Sequence, residues 1–132
     1  MRARRGANAI EFAFLVPVFL SIFTGMAEFG FYHARDAALR HAVYRAVRAG
    51  AGTAMADDPE ARFQSELEDE MTASAFDSTN ADIDVDIEGG AGDRFLVVTV
   101  TLPWDGLTGW VPHPHTMSAT LRARMEDQEP ET

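Results

Sequence analysis

The sequence predicts an α+β protein: a long N-terminal helix, its first half transmembrane and its second half amphipathic, then a second short helix and a small three-stranded antiparallel sheet. Three observations predict it. An apolar stretch near the N-terminus is long enough to cross a bilayer. The alanine-rich and acidic stretches after it place apolar residues at helical spacing. Beyond Asp82 the apolar period falls to two.

Between Ala9 and Tyr32 the charges are Glu11 and Glu28. A helix over that stretch is about 36 Å long, against a hydrocarbon core of about 30 Å. The uncharged run from Phe12 to Ala27 is short for a full span by itself. Both glutamates must therefore lie near the interfaces or find partners. Arg2, Arg4 and Arg5 precede the stretch, whereas Arg35 beyond it is followed at once by Asp36. The positive-inside rule then puts the N-terminus in the cytoplasm and the chain after about residue 32 outside. A cleaved secretory signal shares the basic start and apolar core. It fits less well, because a glutamate heads this core and Thr24-Gly25-Met26-Ala27 is a weak cleavage site.

No proline or cap separates this stretch from Phe31–Ala54, so one helix is expected from about Ala7 to Ala49. Leu39, Val43, Ala46 and Val47 share one face of its second half, with His41, Tyr44, Arg45 and Arg48 opposite. Gly50-Ala51-Gly52 is read as its end. Asp58 at the N-cap and Pro59 at the first helical position start a second helix, with Phe63, Leu67, Met71 and Ala75 on one face and an end near Phe76.

Ile83, Val85 and Ile87 then alternate with Asp82, Asp84, Asp86 and Glu88, the pattern of a half-buried strand. A glycine-rich turn over residues 89–93 leads to a second strand, Arg94 to Leu102, where Pro103 stops it. Trp104 to His115 is read as an irregular loop whose two tryptophans either touch a neighbouring subunit or, the expected case, pack over the sheet end into the core. Thr116 to Met125 is the third strand, with Met117, Ala119, Leu121 and Ala123 on one face. The helix and sheet together form a minimal head. An acidic, disordered tail is expected over 126–132.

Charge and composition exclude several functions. With 11 basic residues against 21 acidic ones the formal net charge is −10, and nucleic acid, which needs a basic face, is not an expected partner. There is no cysteine, hence no disulfide or thiolate metal site. Asp82, Asp84, Asp86 and Glu88 are too extended to wrap calcium and read as a solvated face that discourages edge pairing. His113 and His115 lack further ligands for zinc. Gly89-Gly90-Ala91-Gly92 has neither the helix nor the lysine of a phosphate loop. No nucleophile motif is present, so neither enzymatic activity nor a cofactor is expected.

Arg5-Gly6, then Glu11-Phe12-Ala13, then Pro17 within the apolar run form a distinctive combination. Glu28-Phe29-Gly30 and Ala46-Val47-Arg48-Ala49-Gly50 extend it. In these features the stretch from about Arg5 to Ala49 resembles the TadE-like family, small pilin-like proteins of Tad/Flp (tight adherence) pilus systems. The resemblance implies a type IV pilin-like prepilin, cut by a prepilin peptidase between Gly6 and Ala7. It also implies that Glu11 pairs with the new N-terminal amine of Ala7, commonly that of a neighbouring subunit, with Phe12 beside it in the assembling helix. A carboxylate at the membrane edge that simply reaches the headgroups is the alternative for Glu11. Pro17 is either a kink stabilised by neighbouring helices or a place where the helix loosens during assembly.

The expected organisation is thus a cytoplasmic leader over 1–6, a transmembrane helix over 7–32 and its amphipathic continuation over 33–56. An exported head over 57–125 and the tail follow. The expected role is that of a minor pilin or pseudopilin of a Tad/Flp-type pilus assembly and secretion system. Its partners would be the prepilin peptidase, other pilins and pilus-assembly membrane proteins, and the lipid bilayer. It would sit in the inner (cell) membrane, single-pass, with a periplasmic or extracellular head, or in a pilus. An unprocessed signal-anchored envelope protein with a binding head is the competing reading.

Overall fold

In the computed structural model, residues 3–54, 57–90, 93–112 and 114–126 are described, with side chains from Ala9 onward. Helix α1 spans Ala3–Ala51, α2 spans Pro59–Ala73, and a short 3-10 turn covers Ser78–Asn80. Strands β1 (Asp82–Glu88), β2 (Phe95–Pro103) and β3 (Thr116–Arg124) form one antiparallel sheet in the order β1-β2-β3. The α+β arrangement expected from the sequence is the one observed. The chain divides into two compact units, Met1–His33 with Asp105–His113, and Ala34–Trp104 with Pro114–Thr132.

In the second unit, alternation sets the sheet register. Ile83, Val100 and Ala119 lie side by side across the three strands, as do Val85, Val98 and Leu121, and then Ile87, Leu96 and Ala123. These residues share one face because side chains alternate along a strand. Leu96, Val98, Val100 and Leu102 of the central strand are all buried on it. The edge strand β1 is less covered than its pattern suggests. Val85 and Ile87 are half-buried, but Ile83 is 36% exposed, since an edge strand lies at the margin of the core. On the opposite face the Thr99 and Thr120 hydroxyls lie 3.1 Å apart. Arg122 stacks 3.8 Å from the Phe95 ring centroid and reaches Glu88 at 3.4 Å.

The helical side of this core comprises Leu39, Ala42, Val43, Ala46 and Val47 from α1 and Phe63, Leu67 and Met71 from α2. Asp58 caps α2 as expected: its carboxylate accepts from the Ala61 N–H, and Pro59 opens the helix. At the other end the Phe76 N–H bonds to the Met71 carbonyl and the Ala75 N–H to that of Thr72. This is a Schellman closure in which Ala75, at φ 55, occupies the left-handed position usually given to glycine. Arg35 of α1 donates to the carbonyls of Ser74 and Ala75, each at 3.1 Å, with its guanidinium 5.0 Å from the Phe76 ring centroid. One α1 side chain thus binds carbonyls that α2 leaves open. Arg45 and Glu70 add an ion pair at 2.6 Å between the same helices.

Helix α1 ends at Ala51, within the Gly50-Ala51-Gly52 stretch read as its end, but neither of these glycines is left-handed and Gly50 has a packing part as well. A Cβ on Gly50 would lie 2.9 Å from the Pro59 carbonyl oxygen, 2.9 Å from the Phe63 Cβ and 3.0 Å from a Leu96 methyl. Its missing side chain is therefore what lets α1, α2 and β2 meet. The two tryptophans also part company: Trp104 is buried in this unit, whereas Trp110, in the first unit, is 90% exposed. The core packing expected of both holds for Trp104 alone. Residues 55 and 56, Ala91 and Gly92 of the turn, His113, and 127–132 of the expected tail lie outside the described residues.

Candidate functional site

Among the described residues, α1 is the one helix long and apolar enough to cross a membrane. Ile10, Phe12, Phe14, Leu15, Val18 and Phe19 are among the large apolar side chains exposed along its first half. A surface of that kind is incompatible with water over so long a stretch and suits lipid or neighbouring helices.

Gly6 and Ala7 lie within α1, although their side chains fall outside the described residues. Glu11 is exposed on the helix one turn further on. Phe12 beside it is exposed as well. Pro17 lies inside the helix, where it removes one backbone donor and crowds the preceding turn. The Ser21 hydroxyl donates to the Pro17 carbonyl at 2.8 Å, an i−4 bond typical of serine in membrane helices and one that favours bending.

Glu28 is the residue whose setting the sequence alone did not reveal. It is 1% exposed. Its Oε1 accepts from the Leu107 N–H at 2.6 Å, and its Oε2 accepts from the Thr108 N–H and the Thr108 hydroxyl, each at 3.0 Å. The Thr108 hydroxyl also accepts from the Trp110 N–H at 3.4 Å. Gly106 (φ 75) and Gly109 (φ 68) bracket the two backbone donors in left-handed conformations that other residues adopt only with strain. A buried carboxylate without such donors would be strongly destabilising, so the loop at 105–112 and Glu28 require each other. The signal was a charge inside an apolar stretch, but nothing local to it names a partner 79 residues away. Toward the N-terminus of α1 from Glu28, Trp110 and Val111 line a groove of about 310 Å³ with Pro17, Leu20, Ser21 and Thr24.

Residues 6–48 match the family model described as TadE-like protein. The TadE-like segment thus covers the membrane-compatible half of α1 and most of its amphipathic continuation, and leaves the second helix and the sheet outside the match. Among the described residues, the single long apolar helix fits a single-pass membrane protein. Gly6, Ala7, Glu11, Phe12, Pro17 and Glu28 all fall within the TadE-like segment. Neither a curated protein nor a solved structure matches the chain.

Proposed function

We propose that this protein is a minor pilin or pseudopilin of a Tad/Flp-type pilus assembly and secretion system, working by assembly rather than catalysis. The observation that carries the reading is the TadE-like match over residues 6–48, laid on one exposed apolar helix with Glu11 near its start. A prepilin peptidase cuts between Gly6 and Ala7 and removes the arginine-rich leader in the cytoplasm. The new ammonium on Ala7 and the Glu11 carboxylate are four residues apart, so in a helix they share one face. After cleavage, Glu11 also sits near the positive end of the helix dipole, which favours a carboxylate. In the membrane, both charges gain from pairing, within one chain or across to a neighbouring subunit.

Phe12 and the other exposed apolar side chains then pack against other pilins, and Pro17 with Ser21 gives the helix a point of local adjustment. The chain lies in the inner membrane with its N-terminus cytoplasmic until it enters a filament. Glu11→Ala tests the pairing: pilus assembly, scored by sheared surface protein and electron microscopy, should fall sharply while the membrane level of the protein holds. Normal pili from Glu11→Ala cells would remove the pairing role, and with it the main support for assembly over simple anchoring.

A further inference from the structure

We infer that Glu28 clamps the loop at 105–112 onto the membrane helix so that Trp110 inserts into the outer leaflet of the bilayer. The inference rests on the reading of α1 as a membrane anchor, and it stands whether or not the chain enters a pilus. Three observations carry it.

The first is position. Trp110 and Val111 line one groove with Pro17, Leu20, Ser21 and Thr24, one to three helical turns toward the N-terminus from Glu28. At 1.5 Å per residue that is about 6–16 Å along the helix. The loop therefore borders the stretch of α1 whose own surface is lipid-compatible, and any bilayer that covers that stretch meets the loop too.

The second is chemistry. Leu107 is 54% exposed and Trp110 is 90% exposed. No charged residue occurs between Gly106 and Pro112. In water, two large apolar side chains held outward on a short loop are poorly placed. In the outer leaflet they are favoured, because both bury large apolar surface in lipid.

The third is the backbone. Irregular chain is excluded from lipid unless its polar groups are satisfied from within the protein. Here the amides of Leu107 and Thr108 bond to Glu28, and that of Trp110 to the Thr108 hydroxyl. Glu28 thus supplies the acceptors that water would otherwise provide. A buried carboxylate that accepts from loop amides has a clear purpose if that loop lies against lipid.

Full-length protein reconstituted in phosphatidylcholine vesicles with brominated acyl chains tests the inference. The chain has two tryptophans, so the difference between wild type and Trp110→Phe isolates the Trp110 signal. The expected result is strong quenching of wild-type emission by the brominated lipid, most of it lost in Trp110→Phe. Glu28→Ala should lose most of it as well. Should Glu28→Ala fail to fold, Thr108→Val, which removes the hydroxyl's bonds to Glu28 and from the Trp110 N–H, should give a smaller loss of quenching. Equal quenching in wild type and Trp110→Phe, or none in either, would overturn the insertion. Wild-type quenching in a folded Glu28→Ala would overturn the clamp. Flotation of the same vesicles reports the anchor separately: protein that floats without Trp110 quenching keeps α1 in the membrane and removes the loop from it. Because the chain has no cysteine, Trp110→Cys gives a further readout. Disulfide-linked dimers in place of lipid exposure would assign this surface to a second copy and overturn the inference.

Discussion

Gly50 and Asp77 show how much a single residue decides in this chain. Gly50 sits inside α1, where glycine is ordinarily unfavourable to a helix, yet a Cβ there would press on the backbone of α2. Backbone cannot yield as a flexible side chain can. Gly50→Ala should therefore destabilise the fold by about 1–3 kcal/mol, the usual range for overpacking a core, despite the better helix propensity of alanine. Thermal unfolding of the full chain in detergent measures it, and an unchanged or raised midpoint would contradict the contact. Asp77 works through charge. Its carboxylate accepts from the Thr79 N–H at 3.0 Å and from the Asn80 side chain at 3.0 Å, and these bonds, chiefly those involving Thr79, lower its pKa from the ordinary value of 3.8. A carboxyl with a lowered folded-state pKa adds stability that is full above its unfolded pKa and is lost as pH falls through the folded one. Below about pH 4, Asp77→Ala should thus show a shallower loss of stability than wild type. Parallel acid titrations of the two proteins would contradict this.

At the scale of elements, the joint between α1 and α2 depends on side chains that the helical period does not predict. Arg35 binds the open carbonyls after α2, and Ala75 holds a left-handed position there at φ 55. Arg35→Ala should loosen that end first. Amide hydrogen exchange at 71–76 should speed up while the sheet stays protected; uniform protection would contradict the capping role. Much of the element plan was legible beforehand. Asp58-Pro59 marked the start of α2, and the alternation of Ile83, Val85 and Ile87 with acids marked β1 and its pairing face. What stayed hidden was non-local. Periodicity places a residue on a face, but it does not say that Gly50 meets Pro59 or that Arg35 reaches Ser74. It also treats Trp104 and Trp110 alike, although one is buried and the other is exposed.

For the whole molecule, the same limit applies to the candidate site. Gly6, Ala7, Glu11, Phe12 and Pro17 form a pattern within a dozen residues, so the sequence alone displayed it, and the family match falls on the same segment. Glu28 was visible only as a charge out of place, since its donors arrive from a loop 79 and 80 residues later. The two glutamates of the membrane helix now have separate tasks. Glu28 is matched by donors in the folded chain. Glu11 is exposed, and the partner we propose for it, the ammonium of Ala7, would form only on cleavage after Gly6. The central claim is therefore tested most directly by the N-terminus of the mature protein, read by mass spectrometry on material from cells that express the prepilin peptidase. A chain beginning at Ala7, and a Gly6→Ala variant that keeps its leader, is the predicted result. A chain that retains residues 1–6 in the presence of the active peptidase would contradict it.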